Sequence, residues 1–338
     1  MFNCLVPIPV TTTFFNYERL FATLIAMKKR LFTGLQPSGS LHIGNYFGAL
    51  KPFIDTYENF DSHLCVVDFH ALTTVRDPKV LNRNILEITK AYIAAGVDPE
   101  KTILFRQSDV LQHTELAWIF ECLVTVPFLM QAHSYKDKVA KGLEANAGLF
   151  NYPMLMAADI LLYDAEVVPV GSDQRQHIEY TREAANKFNI AFGDTFVAPQ
   201  EKILDAVGVV PGVDGQKMSK SYGNTIPLFG AEEEVEKAVM SIVTDSSGDH
   251  PEHVYAIHKL FKTDEELAPI YKENKGRYGD LKKILLADIE AVIAPMREKY
   301  NTISDDEVRK VLKKGAGKAR ERAQAKMEQV RTAIGVTI

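Results

Sequence analysis

Up to about residue 226, strand-sized apolar segments alternate with helix-sized amphipathic ones. "RLFTGL" (30–35) reads as a strand, and the Pro and Gly of "QPSGS" (36–40) mark the turn after it. "LHIGNYFGALKPFIDTYENF" (41–60) then has helical spacing. "SHLCVVDFHALT" (62–73) reads as a second strand, "PKVLNRNILEITKAYIAAGVD" (78–98) as an amphipathic helix stopped by Gly96, and "KTILFRQSDV" (101–110) as a third strand. "HTELAWIFECLVTV" (113–126) and "YPMLMAADILLY" (152–163) are helical, and "EVVPVG" (166–171) is a short strand. "SDQRQHIEYTREAANKFN" (172–189) is a helix with Ser172 or Asp173 as its cap. This alternation predicts βαβ units, hence a parallel sheet covered on both faces.

The pattern changes near residue 226. From "GAEEEVEKAVMSIVTD" (230–245) to "DDEVRKVLKKGAGKARERAQAKMEQVRTAIG" (305–335) every segment reads as helix. The expected organisation is an extension (1–26), an α/β domain (27–226) and a helical C-terminal domain (227–338). Residues 1–26 lack a clean period, so they read as a disordered extension or a misassigned start, with Met27 as an alternative start. They also lack the basic beginning of a signal peptide, since the first basic residue is Arg19.

A length of 338 residues suits two domains and a sizeable core. The net charge of −5 argues against a protein that coats nucleic acid non-specifically, but leaves room for a local basic surface. Cys4, Cys65 and Cys122 are scattered, so they indicate neither a disulfide framework nor a cysteine metal site; this fits a reducing cytosol. No apolar run is long enough to span a bilayer.

Three places carry candidate chemistry. "GLQPSGSLHIGN" (34–45) is a strand, a tight turn and a helix start, where free amides attract anions. It lacks the Gly-Lys-Ser/Thr of a phosphate-binding P-loop and the spacing of a dinucleotide fold. Gly44 would let a ring or phosphate approach the backbone, with His42 and Asn45 adding donors. "KMSKS" (217–221) lies in a glycine-bearing loop, from which Lys217 and Lys220 could swing onto a polyphosphate. Each string alone also suits an ordinary capped turn or a solvated basic loop. The third place is Asp159, a carboxylate inside an almost wholly apolar helix. Tyr152, Met156, Asp159 and Tyr163 share one helical face, making a flat apolar slot with one acceptor. Such an acceptor suits an indole N–H, which only donates; a helix cap or an ion pair in the core is the alternative.

The first two motifs together, at the first strand and after the last, resemble the paired H-I-G-H and K-M-S-K-S motifs of class I aminoacyl-tRNA synthetases. The resemblance covers residues 28–338. The Gly-Asn ending of "HIGN", together with "QPSGSLHIGNYFGAL", "SDVLQHTELAW", "NAGLFNYPMLMAADILLY" and "VPVGSDQRQHIE", resembles the tryptophanyl branch.

That resemblance implies a Rossmann-like catalytic domain with an inserted helical segment (about 74–150), followed by an all-helical anticodon-binding domain. It implies that L-tryptophan is activated with ATP, accompanied by Mg²⁺, and transferred to tRNA(Trp). It further implies a cytoplasmic homodimer with no protein-ligated metal and no DNA or membrane partner. His42, Asn45, Lys217 and Lys220 would be catalytic. Gln36, Pro37, Ser38, Gly44, Asn45, Gly171, Ser172, Asp173, Val210, Lys217, Met218, Ser219, Lys220 and Ser221 would contact ATP. Asp159, Tyr152, Met156, Gln174, Phe32, His70, Val168 and Val170 would hold tryptophan.

Lys136 and Lys138 could reach the phosphates, although a solvated pair is equally consistent. The last helix carries Arg309, Lys310, Lys313, Lys314, Lys318, Arg320 and Arg322, several on one face, which suits phosphate contacts or a solvated surface. "ECLVTVPFLMQAHSYKDK" (121–138) departs from the family pattern, which puts the local phosphate contacts and the dimer surface in question. Three rivals remain open at this point: a tyrosyl-type enzyme, since a phenol also donates to an Asp; a small-molecule nucleotidyltransferase; and a non-catalytic relative.

Overall fold

The computed structural model describes residues 28–140, 142, 145–170, 175–203, 209–244 and 250–337. The extension 1–26, with Met27, and the expected helix cap at Ser172 or Asp173 lie outside the described residues.

Five strands, β1 (Arg30–Leu35), β2 (Asp61–Val66), β3 (Ile103–Arg106), β4 (Val167–Val170) and β5 (Gln200–Ile203), form one parallel sheet. Their order is β3-β2-β1-β4-β5. The chain therefore builds outward from β1 on one side and then returns to build on the other. The crevice at the carboxyl ends of β1 and β4, where that reversal occurs, is the place such sheets bind ligands.

Successive side chains of the strands enter opposite cores. Leu31, Leu64 and Leu104 join one apolar cluster, while Phe32, Cys65 and Phe105 join the other. The first cluster is covered by α1 (residues 43–54, π-helical over Tyr46–Leu50) and α3 (Pro78–Ala94). Between β2 and α3 lies the short α2 (Asp68–Ala71). The second cluster is covered by α4 (Gln112–Glu121) and, beyond the short α5 (Val126–Leu129) and α6 (His133–Ala140), by α7 (Ala147–Leu161) and α8 (Arg175–Phe192). Asn146 starts α7 by accepting the Leu149 N–H at 2.9 Å.

Helices α9 (Glu232–Met240), α10 (Glu252–His258), α11 (Asp264–Glu273), α12 (Tyr278–Thr302) and α13 (Asp305–Ala333) follow. Val235, Val239, Leu281, Leu285, Ile289 and Ile293 continue the first cluster out of the sheet, so the helical part shares its core.

The second apolar run is shorter as a strand than its hydrophobicity implies. Pairing stops at Val66, and Asp68 is buried as it accepts the Ser108 N–H (2.9 Å) and Oγ–H (2.5 Å), which turns the chain into α2. The third run likewise leaves the sheet at Arg106 and forms a 3₁₀ turn over Gln107–Asp109. β5 has no apolar alternation in "QEKI" and was not expected.

The basic face of α13 is also used differently from a free phosphate-binding stripe. The helix lies along β3 so closely that a Cβ on Gly315 would stand 1.8 Å from the Leu104 carbonyl oxygen. Arg322 pairs with Asp61 at 2.7 Å, Lys314 with Glu100 at 2.6 Å and Arg309 with Asp306 at 2.9 Å. Lys310, Lys313, Lys318 and Arg320 are exposed.

Candidate active site

At the end of β1 the chain makes its turn through Gln36–Ser38. Ser38 N–H donates to the Gln36 carbonyl (2.8 Å), and Asn84 of α3 donates to the Pro37 carbonyl (3.2 Å). Gln36 itself reaches the His70 carbonyl at 3.1 Å. The chain then runs antiparallel to residues 226–228, with Ile43 N–H on the Ile226 carbonyl and Leu228 N–H on the Leu41 carbonyl, both 3.0 Å. That pairing delivers the loop containing 217–221 to the start of α1.

His42 is the contact point of the two motifs. It is buried, and its Nδ1 has no hydrogen-bond partner. A Cβ at Gly44 would come within 2.9 Å of that Nδ1 and 3.3 Å of Met218 Cβ, so glycine is required there. Burial, reinforced by Lys220, lowers the His42 pKa to about 4. The ring is therefore neutral near pH 7. Asn45 Oδ1 accepts the His42 backbone N–H at 3.1 Å, which leaves its amide nitrogen as the donor.

Lys220 donates to the Ser38 carbonyl at 3.0 Å, and the partial desolvation of its ammonium group lowers its pKa. Lys217 is exposed. Val210 and Met218 are buried and joined by the Met218 N–H on the Val210 carbonyl at 2.9 Å. Ser219 and Ser221 hydroxyls are 2.9 Å apart.

Asn224, which sequence reading passed over, holds this loop in shape. Its Nδ2 donates to Asp214 (2.7 Å) and to the Lys217 carbonyl (3.1 Å), and its Oδ1 accepts the Ser219 N–H (2.8 Å). Lys136 on α6 is exposed; the Lys138 side chain lies outside the description.

Beside this assembly is a cavity of about 640 Å³, within the roughly 300–1,000 Å³ of small-molecule sites. Phe32, His70, Tyr152, Met156, Asp159 and Val168 all line it, and Gln36 connects it to the phosphate-like turn. Gly171, Ser172, Asp173, Gln174 and the Val170 side chain lie outside the description.

Asp159 is 1% exposed and forms part of the cavity wall. Its Oδ1 accepts from Gln107 Nε2 (2.7 Å) and meets His113 Nδ1 (2.6 Å); its Oδ2 meets His70 Nε2 (2.9 Å). Burial alone would raise its pKa, but the hydrogen bonds from His113 and His70 outweigh that and hold it at about 2. The group is an acceptor at any physiological pH. Gln107, His113 and His177, which bonds Tyr152 Oη, were not singled out from sequence. Their partners are 25–52 residues away, so no local spacing announces them.

The family described as tRNA synthetases class I (W and Y) matches residues 26–302. The chain is 44% identical to the tryptophan–tRNA ligase of Rhodopirellula baltica, over 91% of this chain and 99% of that one. It is also 44% identical to the tryptophan–tRNA ligase of a Campylobacter jejuni strain, over 91% of this chain and all of that one. The crystal structure of tryptophanyl-tRNA synthetase from Campylobacter jejuni, complexed with ADP and tryptophan, superposes with a TM-score of 0.85 at 42% identity, covering 90% of this chain and 99% of that one. A tyrosyl-tRNA synthetase from Archaeoglobus fulgidus, at 21% identity and a TM-score of 0.64, shares the fold. Sequence, sheet order and superposition agree: this chain belongs to the class I tRNA synthetases of the W and Y family.

Proposed function

We propose that this chain is a tryptophan–tRNA ligase that joins L-tryptophan to tRNA(Trp) at the expense of ATP. The observation that carries the amino-acid reading is the ionised, buried Asp159 on the wall of an otherwise largely apolar cavity. Indole N–H donates and cannot accept, so a fixed acceptor beside Phe32, Met156 and Val168 suits it. Tyr152 and Gln174 are assigned to orient the α-ammonium group, and Val170 is assigned to the ring.

ATP enters as its Mg²⁺ complex, the metal carried by phosphate oxygens as part of the substrate. Gln36, Pro37, Ser38, Gly44 and Asn45 receive the phosphate side, Gly171, Ser172 and Asp173 the ribose, and Val210 and Met218 the adenine. The tryptophan carboxylate attacks the α-phosphorus in line and pyrophosphate departs. No covalent enzyme intermediate is needed, so catalysis is positioning and charge stabilisation. Neutral His42 and the amide of Asn45 donate near the α-phosphate. Lys217, Ser219, Lys220 and Ser221 move with the departing pyrophosphate. The adenylate then passes its aminoacyl group to the terminal ribose of the tRNA.

The helical part, mainly α9–α12, reads the anticodon, with the exposed lysines of α13 at its margin. A homodimer is supported by the exposed apolar side chains Leu111, Trp118, Val126 and Met130 on and beside α4 and α5. None of the described helices is long and apolar enough to cross a membrane. We place the enzyme in the cytoplasm, where tRNA is charged.

The test is amino-acid-dependent ATP–pyrophosphate exchange without tRNA, comparing tryptophan, tyrosine and phenylalanine. Exchange with tryptophan alone is expected. Tyrosine-dependent exchange would keep the chemistry and overturn the specificity.

A further inference from the structure

Asp159 is held in a way that divides its two oxygens between different tasks. Gln107 and His113 occupy both acceptor positions of Oδ1. Because a carboxylate only accepts, Nδ1 of His113 carries the proton of that bond. Its Nε2 is taken by Tyr163 Oη at 2.8 Å. Tyr163 is held in place by burial and by ring contacts with Phe32 (centroids 5.8 Å apart, planes 9° apart) and His63 (4.7 Å, 29°). His63 in turn accepts from Arg322 of α13 at 3.0 Å. His113 is fully buried and does not line the cavity.

We propose that His113, locked by Tyr163, is a positioning residue for amino-acid selection: with Oδ1 filled by Gln107 and His113, the acceptor position of Oδ2 that His70 does not use is kept for a ring N–H. This rests on the reading of Asp159 as the indole acceptor. The physical reason is the cost of burying the charge. Without the Nδ1–H of His113 a buried carboxylate takes up a proton or turns toward another donor. A protonated Asp159 accepts more weakly and can itself donate, so it distinguishes an indole from an isostere without N–H less sharply. A site whose acceptor is fixed and charged rejects that isostere because the acceptor would be left without its donor.

The experiment measures exchange with tryptophan and with β-(benzothiophen-3-yl)alanine, which replaces the ring N–H with sulfur, and compares the two kcat/KM values. In the unaltered enzyme tryptophan is strongly preferred. His113→Leu lowers that preference by roughly 10- to 100-fold, chiefly through KM for tryptophan, with KM for ATP unchanged. His113→Asn, whose amide nitrogen can stand in for Nδ1, restores most of the preference. Tyr163→Phe, which preserves the ring stack, lowers it by about 3- to 10-fold and serves as the independent variant if His113→Leu does not fold.

Equal losses for both amino acids, with the preference intact in His113→Leu or in Tyr163→Phe, would reduce the pair to a structural role and overturn the proposal. Absence of tryptophan-dependent exchange in the unaltered enzyme would instead overturn the function reading on which it rests.

Discussion

Across one crevice, two walls are built in opposite ways. Asp159 is 1% exposed and bonded by Gln107, His113 and His70. Lys220 is exposed and holds the Ser38 carbonyl, and Lys217 beside it is exposed as well. The ring side is set before any ligand arrives, since moving Asp159 would strip the buried Gln107 and His113, and also His70, of their acceptor. The phosphate side is hung on a loop whose lysines lose little by leaving their present positions. Selection needs a fixed geometry, whereas a departing polyanion needs groups that travel with it.

The sharpest way to break this contrast is Asp159→Ala. It leaves His113, Gln107 and His70 without their shared acceptor, so a stability loss of about 3–5 kcal/mol is expected, together with loss of tryptophan-dependent exchange. Thermal denaturation should show a clear fall in Tm; an unchanged Tm would mean that the clamp is not structural. Lys220→Ala should do the reverse, leaving Tm in place while lowering the exchange rate on the order of 10²–10³-fold. Tryptophan affinity, measured by fluorescence titration, should change less than about twofold. Equal losses of rate and affinity would place Lys220 on the wrong wall.

The smallest effect concerns His42. Its folded pKa of about 4 lies below the ordinary 6.5, so the unfolded chain binds the proton more readily. The ring therefore opposes folding progressively as pH falls from about 6.5 to about 4, and is neutral in effect above that window. His42→Gln should flatten the decline of Tm across the same interval; a profile identical to the parent would show that His42 is not protected from protons.

These contrasts also explain what could be read from the chain. β1 was legible to the residue because "RLFTGL" is apolar, short and followed at once by Pro and Gly. "SHLCVVDFHALT" was overextended, since an apolar run does not tell a buried strand from a short buried helix. "QEKI" was missed because a charged edge strand has no hydrophobic alternation to show. Asp159 was visible as a charge among apolar neighbours. His113 was not, because its meaning lies in Asp159 and Tyr163, 46 and 50 residues further on. The basic stripe of α13 was legible as charge but not as pairing, since Asp61 is 261 residues from Arg322.

That last distance has a consequence for how the chain is made. β1, β2 and β3 are synthesised well before α13, so the part of β3 against which Gly315 presses stays uncovered until α13 has been made. The sheet therefore cannot complete its burial in step with its own synthesis, as an autonomous N-terminal domain would. The contacts of α13 with the sheet and with α4, such as Arg322–Asp61 and Arg331–Glu115, close very long loops and belong to the slow, late part of assembly. Nascent chains halted before residue 305 should expose an apolar strip along β3, making them natural clients of chaperones that recognise such surfaces.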